Sequence, residues 1–167
     1  MLREQIIQYL ELLNDRLASL NVKGEICLYG GAVMSLVFNA RPATKDVDAV
    51  FEPTKTIRDA VKQVALENHL DPDWLNDGVK GFLVPHGKKV LFHWSNLDIY
   101  YADPDYLLAM KTISARIDAT DRGDIEFLIK KLDISTPEQV FAVVEKYYPK
   151  NRIKPAAQFF IEEIFDQ

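Results

Sequence analysis

Cysteine is almost missing from this chain. Cys27 is the single thiol in 167 residues, which excludes an internal disulfide and a cysteine-based zinc site. It lies in the apolar run Ile26-Cys27-Leu28, where a small buried hydrophobe is the expected role and burial keeps a thiol from acting as a nucleophile. Histidine is scarce too: His69, His86 and His93 form no i, i+4 pair, so no histidine zinc site is expected. Long apolar runs are absent, none approaching the roughly 18 residues of a membrane-spanning helix. The residues after Met1 show no apolar signal core, so a cytoplasmic protein without membrane contact is expected. Positive charge is in deficit, with 20 Lys and Arg against 25 Asp and Glu and a net charge of −5. That balance argues against broad DNA binding, which relies on neutralising phosphates, but it leaves room for a nucleotide carried in with magnesium. No Gly-x-x-x-x-Gly-Lys-Ser/Thr occurs, so a P-loop is not the phosphate site.

What is present reads as one domain, residues 1–167, long enough to bury a real core. Ile6, Ile7, Leu10, Leu13, Leu17 and Leu20 recur at helical spacing over residues 3–20. A short apolar strand follows at Glu25–Tyr29, closed by Gly30-Gly31. A helix is predicted over Ala32–Phe38, a loop over Asn39–Lys45 and a strand over Asp46–Phe51, where acid and apolar residues alternate. Thr54–His69 reads as helix, Asp71–Gly81 as a breaker-rich structured loop, and Lys89–Trp94 and Leu97–Tyr101 as two strands. The rest is helical: Pro104–Ile117 with Asp103 as N-cap, then Arg122–Leu132, Pro137–Lys146 and Pro155–Phe165. The fold class expected is α+β: a small mixed sheet flanked by helices over residues 1–101, with a helical region over 102–167 packed on it.

The segment 28–51, LYGGAVMSLVFNARPATKDVDAVF, concentrates the chemistry. A glycine pair at the mouth of a helix leaves backbone N–H groups open to an anion, although such a pair also serves as a plain turn. Asp46 and Asp48 stand two apart on a strand, so both carboxylates face one way. Like charges that close repel unless a cation lies between them. Mg²⁺, or Mn²⁺ in its place, suits such a pair, because it accepts one or two carboxylates plus substrate phosphates. The alternative is a solvated strand face.

Gly30-Gly31, a helix, then Asp46-Val47-Asp48 on the next strand resembles the minimal core of the polymerase-β-like nucleotidyltransferase superfamily. Arg41 lies before the aspartates, as an arginine often does in the enzymes that add nucleotides to tRNA ends. Asp73-Trp74-Leu75-Asn76-Asp77, Tyr106-Leu107-Leu108-Ala109-Met110-Lys111, Arg116 and Asp121-x-x-Asp124-Ile125 are similar to a group of small bacterial nucleotidyltransferase-like proteins of unknown function. That group is related to the nucleotidyltransferase partners of toxin–antitoxin and abortive-infection systems. The resemblance runs from about Tyr29 to about Tyr148, and the loop between Gly31 and Asp46 is slightly long for the superfamily pattern.

The resemblance implies Mg²⁺-dependent transfer of a nucleoside monophosphate from an NTP to a hydroxyl of a protein or RNA acceptor, with release of pyrophosphate. Gly30, Gly31, Ser35 and Arg41 would hold the nucleotide, and Asp46 and Asp48 the metal. A third carboxylate on a later strand commonly activates the acceptor. Asp98 is the first candidate for that base and Asp77 the runner-up, against solvated strand and turn roles respectively. Lys111 reads either as a phosphate ligand or as the partner of an acid such as Asp124. Trp74, Phe92 and Trp94 could stack a base, though core packing is the commoner use of aromatics. If neither Asp98 nor Asp77 lies beside the aspartate pair, the expectation shifts to a non-catalytic protein that binds a nucleotide or a cognate toxin or antitoxin.

Overall fold

The computed structural model describes residues 1–114 and 118–167, so Arg116 and the predicted end of the helix at Ile117 lie outside the described residues. The chain is mixed α/β and divides into two compact units, Met1–Gly81 with Lys88–Ala102, and Phe82–Gly87 with Asp103–Gln167. The long run of the second unit begins at Asp103, one residue later than the expected 102, and the unit also takes six residues from the segment before the last two strands.

The first unit is built on a five-stranded sheet of β1 (Gly24–Leu28), β2 (Val47–Glu52), β3 (Leu75–Asn76), β4 (Lys88–His93) and β5 (Leu97–Ala102) in the order β3-β2-β1-β5-β4. β1 runs antiparallel to β2 and parallel to β5, β3 runs parallel to β2, and β4 runs antiparallel to β5. Helices α1 (Arg3–Ser19), α2 (Gly30–Leu36) and α3 (Thr54–Asn68) complete it. The predicted stripe of α1 is its buried face: Ile6, Leu10, Leu13 and Leu17 are each at most 1% exposed. Alternation divides β2 as expected, with Val47, Ala49 and Phe51 in the core and Asp48, Val50 and Glu52 on the other face. β3 is new: it lies in the segment read as a loop, because two residues between breakers carry no period to detect. Its Leu75 and Asn76 pair with Val47 and Asp48, and Trp74 anchors its start in the core, donating from Nε1 to Val61 O at 3.1 Å. Trp74 is thereby a structural residue. Phe92 and Trp94 stack on each other, with centroids 4.8 Å apart.

The second unit contains α4 (Pro104–Ile113), α5 (Ala119–Lys131), α6 (Pro137–Glu145) and α7 (Pro155–Phe165). α5 starts before the predicted Arg122 because Asp118 caps it, accepting from Thr120 N and Asp121 N. Thr136 and Gln139 form a capping box on α6. Segment Phe82–Gly87 is held by two tyrosines: Tyr148 donates to Phe82 O at 2.6 Å, and its Oη lies 3.1 Å from Tyr106 Oη. Val84 N donates to Tyr106 Oη at 3.3 Å, and His86 stacks on the same ring with centroids 4.1 Å apart.

Beside them, the Asp105 carboxylate accepts from Tyr147 Oη at 2.7 Å and Lys146 Nζ at 2.8 Å. Burial, then the adjacent Asp105 charge, pushes the Tyr147 phenol up to about 12. A phenol raised in the folded state contributes stability that is complete below its unfolded pKa of roughly 10. That contribution is lost as pH rises through the folded value. Denaturant unfolding between about pH 9 and 12 is therefore expected to show a fall in stability that Tyr147→Phe reduces. Equal slopes for the two proteins would contradict this reading.

Candidate functional site

Three side chains occupy the space that Cβ atoms at the glycine pair would need. Gly30 has φ +58, in the left-handed region that costs other residues about 1–2 kcal/mol. A Cβ on it would lie 2.7 Å from Asp48 Oδ2. A Cβ on Gly31 would overlap the Arg41 guanidinium and lie 2.7 Å from Thr44 Oγ1. The glycines are thus a floor on which the Asp48 carboxylate and the Arg41 guanidinium rest. Proximity of these two side chains to α2, more than bare N–H groups alone, explains why this turn contains no Cβ.

The loop between α2 and β2 is tied down at both ends. Ala40 N donates to Met34 O at 2.8 Å, and Leu2 bridges Ala43 in antiparallel fashion. Thr44, buried at 8% exposure, donates from Oγ1 to Asp46 O at 3.1 Å. On the far side, Asn76 Nδ2 donates to Asp46 Oδ2 at 3.3 Å. Asn76 is the cross-strand partner of Asp48, so it belongs to the same face of the sheet. Asp46, Asp48 and Asn76 are all half-buried. The structure therefore brings together Gly30, Gly31, Arg41, Thr44, Asp46, Asp48 and Asn76. Thr44 and Asn76 had no assigned role in the sequence; Asn76 stood in a quoted motif, but only β3 pairing reveals its neighbour.

Other candidates lie elsewhere. Asp98 pairs with Glu25, which pairs with Glu52, whereas Tyr29 N bonds Asp48 O at 2.9 Å. Asp98 therefore shares the face of Asp48 but stands four residues along and two strands across, about 13 Å by about 10 Å. Its carboxylate engages His93 in place of the aspartate pair. Continuing the β1–β5 register by one residue sets Ala102 level with Asp48, so the position that could offer a nearby acid holds a methyl group.

Asp77 follows Asn76 but is clasped by Arg58 at 2.7 Å and Lys80 at 2.8 Å. The hydrogen bond from Lys80, reinforced by Arg58 against the cost of burial, holds it below the usual carboxylate range, which makes it a poor proton acceptor. Ser35 is 1% exposed near the end of α2, and its hydroxyl finds no hydrogen-bond partner among the described residues. It belongs to the core, more than one helical turn beyond the glycines. Lys111, in the second unit, bonds Asp124 at 2.8 Å and Asp121 at 3.1 Å; the ion-pair alternative describes its surroundings.

No family model, curated protein or solved structure matches the chain. Its chemistry has to be read from the site itself. Among the described residues no cluster of three or more His, Cys, Asp or Glu side chains gathers to hold a metal. Asp46 and Asp48 both adjoin Asn76, one through its side-chain amide and the other as its cross-strand partner, and two such carboxylates fit Mg²⁺ or Mn²⁺ in kind. Both are hard oxygen donors, and the side chain that Asp46 bonds is a neutral amide, which does not compete with a cation. Two protein ligands leave most of the coordination shell to water and phosphate, so this donor set suits an ion that arrives with a nucleotide. Among the described residues no helix is long and apolar enough to cross a membrane.

Proposed function

We propose that the Met1–Gly81/Lys88–Ala102 unit binds a nucleoside triphosphate together with Mg²⁺ or Mn²⁺ and holds it without turnover. Asp46 and Asp48 would share the cation, which offsets charge on the phosphate oxygens when bound. Arg41, lying against Gly31, supplies a fixed fork of donors suited to phosphate. The observation that carries binding is the packing of Asp48 and Arg41 side chains onto adjacent glycines. The observation that favours holding over transfer is the register separating Asp98 from Asp48. A nucleotide-holding partner in a toxin–antitoxin-like pair is the biological role this reading supports.

Transfer to a protein or RNA hydroxyl is the second reading, favoured by the glycine-pair and paired-aspartate arrangement. It requires a proton acceptor that neither Asp98 nor Asp77 supplies at the pair. The test is thermal unfolding with Mg²⁺ and each of ATP, GTP, CTP and UTP. A ligand at 100 times its Kd adds about 2.7 kcal/mol; Asp48→Asn is expected to abolish the shift and Asp98→Asn to leave it intact. No shift with any NTP would sink the binding proposal. Transfer of label from an α-³²P-NTP to lysate protein or RNA, lost in Asp48→Asn, would establish the transferase instead.

A further inference from the structure

We infer that Asn76 is a positioning residue for the Asp46 carboxylate, a role that rests on the proposed cation site at Asp46 and Asp48. The side-chain amide is oriented by its surroundings. Asn76 Oδ1 accepts from Gly78 N at 3.1 Å, and a backbone N–H only donates, so the oxygen must face that turn. Nδ2 is thereby directed to Asp73 O at 3.2 Å and to Asp46 Oδ2 at 3.3 Å. The residue itself is placed by β3, whose pairing sets Asn76 beside Asp48, and by Val47 N donating to Trp74 O at 2.7 Å.

The chemistry of an amide fits this position better than the alternatives. Asp46 and Asp48 repel each other, so the Asp46 carboxylate swings away unless something holds it. A lysine or arginine would hold it but would also repel a divalent cation and compensate the charge that attracts one. A third acid would bind a cation but would aggravate the repulsion without it. A neutral donor bonds one carboxylate oxygen, fixes its plane, and leaves the charge of the pair undiminished. The hydrogen bonds to Asp73 O and Gly78 N keep the amide from turning with its ligand.

A purely structural Asn76, serving only the turn at Gly78, makes different predictions. Asn76→Asp keeps an acceptor for Gly78 N but removes the donor to Asp46 and adds a negative charge. It is expected to lower the thermal midpoint in chelator and to recover on adding Mn²⁺, by more than wild type gains. Asn76→Ala is expected to weaken Mn²⁺ binding, measured by electron paramagnetic resonance with each of the four NTPs present, by about 10–100-fold. Wild type provides an arm that needs no variant: substoichiometric Mn²⁺ with the NTP that binds should broaden the Asn76 side-chain NH₂ resonances ahead of those of Asn68 and Asn96.

The outcomes separate the two claims. If wild type binds no Mn²⁺ with any NTP, the cation site and the role of Asn76 both fall. If wild type binds but Asn76→Ala binds equally well, or the Asn76 amide signals survive saturating Mn²⁺, the site stands and the positioning role is overturned.

Discussion

Replacing Lys111 with methionine is expected to lower the stability of the Phe82–Gly87/Asp103–Gln167 unit by about 3–5 kcal/mol, the usual consequence of removing one member of a buried ion pair. The Lys111 side chain is 11% exposed and sits between Asp124, 4% exposed, and Asp121, 25% exposed. Without the ammonium, two carboxylates remain together and one of them is out of water. Methionine fills the space of the stem, so the loss reads the charge and not a cavity. The double replacement Lys111→Met/Asp124→Leu removes the buried acid as well and is expected to recover most of the loss, since burying a pair costs nearly as much desolvation as its attraction returns. Urea unfolding of the three proteins tests this. A single substitution costing under about 1 kcal/mol would show that these charges behave as a solvated surface pair.

Gly30→Ala is expected to weaken nucleotide binding at least roughly 30-fold while leaving the protein folded. The left-handed backbone costs an alanine about 1–2 kcal/mol, and the new methyl would meet Asp48 Oδ2, forcing the carboxylate aside. Truncating or displacing one member of a desolvated charge contact weakens binding by about 2–5 kcal/mol, at least roughly 30-fold. Gly31→Ala is the informative companion, because it would strike the far end of a flexible arginine and also the buried Thr44 hydroxyl. It is expected to reduce affinity as Arg41 swings away from the site, with some loss of stability as Thr44 shifts. A double-mutant cycle read in unfolding free energy separates strain from contact: in an Asp48→Ala background the clash is gone and Gly30→Ala costs only its backbone term. Titration by calorimetry with Mg²⁺-NTP reads the affinities. Unchanged affinity in Gly30→Ala would mean that Asp48 does not hold the ligand.

Both experiments turn on contacts that only the tertiary structure makes, whereas other features are legible in the sequence. The Asp46–Phe51 alternation is a local property of consecutive residues, and it correctly put Asp48 on the face opposite Val47, Ala49 and Phe51. The stripe Ile6, Leu10, Leu13, Leu17 is equally local and equally legible. Asp98 shows the limit. Its own strand is real, and its face is the face of Asp48, since period-two alternation governs both. Its position along that face is set by which residue of β1 pairs with which residue of β5, and nothing in Leu97-Asp98-Ile99-Tyr100 encodes the partner.

The glycines show the same division from another side. Adjacent glycines before a helix announce a turn, but the reason for them is supplied by Asp48 and Arg41, ten or more residues away, whose side chains need the room. Lys111 among leucines is a conspicuous charge, and only the packing of α4 against α5 turns it into the partner of Asp121 and Asp124. Asn76 was silent because a two-residue strand has too few side chains to show a period. The sequence by itself determined which faces are apolar, where most helices begin and which residues carry oxygen ligands, because those follow from neighbours in the chain. The tertiary structure decided which ligands meet, because strand register and loop closure join residues that share no local pattern.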